Sequence, residues 1–161
     1  MSDGAPLVPE PHCVEALDPR QDEAVAREIL AADGGSVDEA RAHIASLRAD
    51  PSATLSGIEI EGSLAAVIAV RKAGMTNEIA LLAVAPDHRQ QGLAKRCLRD
   101  ALRRSGRRPL AVEADEACAE FYKACGFKIV GRRPTPDGGF RYRLGWHAPR
   151  PKATGPPQLT P

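Results

Sequence analysis

Aromatic side chains are scarce: three Phe, two Tyr and one Trp make up 4% of the 161 residues, so any core must be assembled from Ala, Val, Leu and Ile. No apolar run approaches the roughly 20 residues that span a bilayer; the longest, residues 64–70, excludes a transmembrane helix. The first eleven residues carry Asp3, Glu10 and three prolines, and so lack the basic start and apolar stretch of a secretory signal. A cytoplasmic location with no membrane partner is the expectation. The four cysteines, Cys13, Cys97, Cys118 and Cys125, include no CxxC pair with a nearby His. Neither a zinc site nor another metal is expected, and free reduced thiols are. Bulk charge is lacking too, at +1. Near neutrality and few aromatics weigh against a nucleic-acid partner.

What charge there is sits unevenly. Residues 89–108 hold eight Lys or Arg against the single acidic Asp100, and that asymmetry asks for a local anion. The length suits one domain, and the composition, 43% apolar and 27% charged, is that of a soluble globular chain. The folded part is placed at residues 12–147. Residues 1–11 read as a flexible lead and the proline-rich 148–161 as a disordered tail.

Within that domain a short strand is expected at 13–17. Asp18-Pro19-Arg20-Gln21 then offers a helix start, with a helix to about residue 32 stopped by Gly34-Gly35. Ser36 to Glu39 opens a second helix through a capping box, its apolar positions Val37, Ala40, Ile44 and Leu47 on one face, and Pro51 closes it. The pattern turns β-like at 53–60 and 63–72, joined by the tight-turn pair Glu61-Gly62. Residues 78–85 form an apolar run with little alternation, as a central strand covered on both faces would. Helical spacing returns at 91–105, strand character at 109–114, and a helix at 115–125 ends at Gly126. Strands at 127–132 and 140–145 complete a mixed α/β order without internal repeats.

The most informative stretch is the junction between that central strand and the basic helix. Leu82-Ala83-Val84 run into Pro86, a polar loop follows, and Arg89-Gln90-Gln91-Gly92-Leu93-Ala94 feeds the helix. Such a turn aims several unpaired backbone N–H groups and the positive end of the helix dipole at one point, a ready site for a pyrophosphate. Gly92 and Ala94 keep side chains clear of it, and Lys95, Arg96 or Arg99 could neutralise further phosphate charge.

This run resembles motif A of the GNAT acetyltransferases, an apolar strand, V-x-P and R/Q-x-x-G-x-G/A, here Val84-Ala85-Pro86 and Arg89 to Ala94. A second segment, Asp115 to Phe127, is similar to that family's motif B, N-x-x-A-x-x-F-Y-x-x-x-G-F, with Asp115 where Asn is common. The resemblance implies a mostly antiparallel sheet of six or seven strands, splayed at its central strands and flanked by about four helices. It implies acetyl-CoA as co-substrate, its pantetheine arm along Leu82, Ala83 and Val84 and its pyrophosphate on residues 89–94 with Lys95. It implies Tyr122 as the acid that meets the departing thiolate. Asp115 holds the other motif position on the cofactor side, where a carboxylate would repel phosphate.

Removing a proton from an amine calls for a carboxylate in reach. Glu78 resembles the base of histone-type members in position, and Glu113 at the end of the next strand competes with it. His88 reads as an ordinary loop residue. The leading expectation is acetyl transfer to a primary amine, of a small molecule or a peptide, in a ternary complex. The alternative is a non-catalytic acyl-CoA-binding module. The acceptor has no pattern of its own, and a homodimer paired through the last strands fits the resemblance.

Overall fold

The computed structural model describes residues 10–106 and 108–147, so the expected loose ends lie, but for residues 10 and 11, outside the described residues. The chain enters as a short strand, β1 (His12–Val14), and Asp18 then starts helix α1 by accepting a hydrogen bond from the Arg20 N–H at 2.9 Å. α1, residues 19–30, passes from a 3-10 turn (Pro19–Gln21) through one α turn (Asp22–Ala24) into π-helical winding (Val25–Leu30). The wide turns are a departure from the expected regular helix, and no Gly or Pro in that run marks them. Ser36 caps α2 (Val37–Ala49), its Oγ accepting from the Glu39 N–H at 3.1 Å as the capping box requires. Arg48 of α2 reaches back to Asp22 at 2.8 Å and to the Leu17 carbonyl, tying the two helices into one layer.

Strands β2 (Ala53–Ile60) and β3 (Ser63–Ala73) meet at Glu61-Gly62, both with positive φ, the left-handed pair that a two-residue hairpin needs. β4 (Thr76–Val84) leads through a 3-10 turn (Pro86–His88) to helix α3 (Leu93–Arg104). β5 (Leu110–Ala114), helix α4 (Glu116–Ala124), β6 (Lys128–Pro134) and β7 (Phe140–Trp146) follow. The seven strands form one sheet in the order β1-β2-β3-β4-β5-β7-β6. Every neighbouring pair is antiparallel except β4 and β5, which are parallel.

Because side chains alternate across a strand, the sheet has two apolar faces, and each has its own helical cover. Ile58, Ile68, Leu110 and Leu144 pack with Cys97 and Leu98 of α3 and Ala119 and Tyr122 of α4. Leu55, Val67 and Ala69 pack with Val25 and Ile29 of α1 and Ile44 and Leu47 of α2. Fully burying a side chain such as Leu98 or Ile68 contributes roughly 1.5–3 kcal/mol. Alanines fill the middle of β3, where Ala65, Ala66 and Ala69 have no exposure. Their small size lets helices close on both sides of a core with so few aromatics.

Candidate active site

β4 follows β3 along its whole length, yet its register with β5 holds only at Asn77 with Leu110 and Glu78 with Ala111. Beyond those two pairs the strands part. This explains why β4, expected to be covered on both faces, leaves residues 81–84 half-buried: the neighbour that would cover them has diverged. Leu82, Ala83 and Val84 therefore present a strand edge to the split, with Leu82 and Val84 on the α3/α4 face and Ala83 on the α1/α2 face.

The turn beyond β4 is built to expose backbone. Gln90 takes φ +63°, uncommon for a residue with a side chain, and Gly92 takes +76° as the N-cap of α3. Glycine brings no capping side chain, and the first intrahelical bond to the cap runs from the Arg96 N–H to the Gly92 carbonyl. The N–H groups of Leu93, Ala94 and Lys95 are thus the open first turn of a twelve-residue helix. They border a cavity of about 710 Å³ enclosed by Val84, Leu93, Lys95, Phe121 and Cys125. A volume of this order is typical of small-molecule and cofactor sites.

The structure brings Val84, Arg89, Gln90, Gly92, Leu93, Ala94 and Lys95 together around this cavity. Gln91 is exposed in the turn but does not line it. Arg89 is already engaged: its guanidinium grips Asp33 at 3.0 and 2.6 Å, and its Nε donates to the Val84 carbonyl at 3.3 Å. It ties the turn before α3 to the loop between α1 and α2. His88, read from sequence as a mere loop residue, lines the cavity as well. So do Cys118, Phe121 and Cys125, whose three- and four-residue spacing on one flank of α4 was the signal that could have found them.

Tyr122 lies behind that flank, 7% exposed, with the rings of Phe121 and Phe127 edge-on at 5.2 and 5.3 Å. Burial, with the nearby Cys118 and Cys125 adding to it, pushes its phenol well above the ordinary tyrosine value. The group stays protonated at neutral pH. Burial also raises Cys125, against the pull of Lys95, and raises Cys118, where the Asp115 carboxylate adds to the effect. Asp115 lies outside the cavity lining and caps α4, its Oδ1 accepting from the Cys118 N–H at 2.8 Å.

Glu78 and Glu113 come together in a second cleft of about 270 Å³ on the other face of the sheet, at the foot of the split. Glu78 is 28% exposed and faces Arg143 at 3.3 Å and Arg71 at 3.9 Å. Glu113 is 43% exposed and pairs with Arg133 at 3.4 Å. The larger cavity thus borders the Val84 end of β4 and the charged cleft its Glu78 end. Among the described residues no cluster of His, Cys, Asp and Glu could hold a metal ion, all four cysteines are free thiols, and no helix is long and apolar enough to cross a membrane.

A parted parallel pair beside an uncapped, glycine-led helix is the arrangement that the resemblance to the GNAT acetyltransferases implies. Residues 51–129 match the model of the acetyltransferase (GNAT) domain. That segment is a GNAT acetyltransferase domain, an acyltransferase by class. Similar folds include a GNAT-family protein from Desulfovibrio desulfuricans, with TM-score 0.73 and 15% identity over 86% of this chain and 99% of that one. An aminoglycoside 6'-N-acetyltransferase complexed with coenzyme A has TM-score 0.71 and 17% identity over 87% and 99%. The ribosomal-protein-S18-alanine N-acetyltransferase of Escherichia coli has TM-score 0.67 and 19% identity over 94% and 99%. No curated protein sequence matches the chain.

Proposed function

We propose that this protein transfers the acetyl group of acetyl-CoA to a primary amine by direct attack in a ternary complex. The observation that supports the reading is the split between β4 and β5, which begins beside Glu78 and leaves the β4 edge running on to Val84 at the cavity of the α3 N-terminus. The pyrophosphate sits on the open N–H groups of residues 93–95 with Lys95 beside it, and the pantetheine arm pairs with the free edge of β4 along Leu82, Ala83 and Val84. The amine enters from the opposite face. Its nitrogen attacks the thioester carbon, the C–S bond breaks, and the thiolate takes the phenolic proton of Tyr122. The nitrogen's proton passes to Glu78, which is the more buried of the two carboxylates and stands where the strands begin to part.

Two thiols at the cavity wall raise the rival course of an acetyl-cysteine intermediate. Burial raises both, so at neutral pH they are thiols rather than the thiolates that attack carbonyl carbon. The test is to incubate the protein with acetyl-CoA alone and read its intact mass, then add primary amines and follow free CoA thiol. Transfer with no acetylated protein is the expected result. Stoichiometric acetylation of a cysteine that then decays on adding amine would sink direct attack, and acetyl-CoA binding without turnover on any amine would favour a non-catalytic module.

The exposed outer strand β6, which shows Ile129 and Val130 to solvent, is the edge through which we place a homodimer. Light scattering of the wild type and of Val130→Lys tests it: a dimer that becomes monomeric is expected, and a wild-type monomer at tens of micromolar would end the idea.

A further inference from the structure

The acceptor-side cleft has a chemical character of its own. Its floor is small, since the residues in register beside Glu78 are Ala111 on β5 and then Gly145 on β7. Its walls are cationic: Arg71, Arg141 and Arg143 line it with the two carboxylates Glu78 and Glu113. Glu78 is shared between Arg143 and Arg71, and Glu113 is taken by Arg133, whose position on β6 is in register with Arg141.

Arg141 is left without a carboxylate. Its contact is the backbone carbonyl of Glu113 at 3.5 Å, and it joins no ion pair among the described residues. In the sheet it falls one place beyond the Ala114–Tyr142 pair, beside Asp115 at the start of α4, and its charge helps to lower that carboxyl. A guanidinium on the cleft wall, outside any ion pair among the described residues and sharing that wall with Glu78, is placed to meet a group on the acceptor near its reacting nitrogen. Its planar fork suits a carboxylate or phosphate, bound by two parallel N–H donors. A polycationic amine would instead meet three guanidinium groups against two carboxylates already engaged in ion pairs.

Resting on the acetyl-transfer reading above, we propose that the acceptor is a primary amine bearing an anionic group, a carboxylate or a phosphate, and that Arg141 binds that group while the nitrogen faces Glu78. Arg141 sets specificity and takes no proton. Aminoglycosides, on which one similar fold acts, are the opposite kind of acceptor.

The experiment measures kcat/KM on matched amines: glycine against glycinamide, phosphoethanolamine against ethanolamine, and an aminoglycoside, with wild type and with Arg141→Gln. The anionic member of at least one pair is expected to win by about tenfold or more, the weight of one charge-assisted contact, and the pair that shows it names the anion. Arg141→Gln should bring that ratio close to one while leaving KM for acetyl-CoA unchanged, which also shows that the variant folds. Equal or reversed preference in both pairs, a preference for the aminoglycoside, or a ratio that survives Arg141→Gln overturns the proposal. If no amine is acetylated, calorimetry on the CoA complex separates the two ideas. Arg141-dependent binding of an anionic amine would keep the anion site while the transfer reading fails, and no such binding would end both.

Discussion

Helices α3 and α4 start in opposite ways. α4 is closed at its N-terminus: Asp115 accepts the Cys118 N–H at 2.8 Å and Glu116 adds an acidic first turn. α3 is open: its cap is Gly92 in the left-handed region, with no capping side chain and no acidic residue in the first turn. Carboxylates at the cap and first turn stabilise a helix by pairing orphan donors and answering its dipole. α2, with Ser36 at its cap, follows the rule as α4 does. The helix that omits this stabilisation is the one whose end borders the large cavity. α4 contributes its flank instead, with Tyr122 behind Phe121, Cys118 and Cys125. One helix start is left open at the cavity, and the other is capped and fixed.

The largest effect is expected on the flank of α4. Tyr122→Phe keeps the packing against Phe121 and Phe127 and deletes the hydroxyl, so kcat should fall about a hundredfold or more, within the range for a lost general acid, while KM for acetyl-CoA changes little. Steady-state kinetics decides it, and an unchanged kcat would reduce Tyr122 to a core residue. A smaller effect is expected from making α3 resemble α4. Gly92→Asp would cap the open turn and set a carboxylate where we propose the pyrophosphate sits, weakening acetyl-CoA binding about tenfold or more, measured by calorimetry. A Cβ at Gly92 meets nothing within 4 Å, and Asp is among the residues that tolerate positive φ, so the fold should survive. Gly92→Asn, with the same shape and no charge, should lose much less. Equal losses for Asp and Asn would mean that the turn acts through its backbone shape and not through charge.

Much of this contrast was readable from sequence, because local signals carried it. The Ser36 box, the Glu61-Gly62 hairpin, Pro86 and the Gly92 turn each fix backbone within a few residues, and each appears in the structure where the pattern places it. What stayed hidden depends on contacts distant in sequence. The grip of Arg89 on Asp33 spans 56 residues and that of Arg143 on Glu78 spans 65, and no local pattern pairs them. Likewise His88 becomes a cavity residue only because α4 folds over the turn. The π-helical winding of α1 left no mark in composition. The acceptor cleft was the least legible part, since its arginines come from β3 and β7 and converge only when the sheet is assembled.

The smallest effect tests the closed end by pH. Hydrogen bonds from the Cys118 N–H, foremost, hold the Asp115 carboxyl below its ordinary value of 3.8. A group lowered on folding stabilises the native state above its unfolded pKa, and the contribution is lost as pH falls through the lower folded value. Asp115→Ala should therefore cost about 1 kcal/mol in urea unfolding at pH 7, as a lost helix cap does. The gap from wild type should hold down to about pH 5 and narrow below pH 4, where the carboxyl begins to take a proton. Acetyl-CoA affinity at pH 7 should be unchanged within a factor of about two, because Asp115 does not line the cavity. If the variant instead bound the donor more tightly, the carboxylate would have been repelling phosphate across the cavity, and α4's first turn would belong to the donor site alongside α3's.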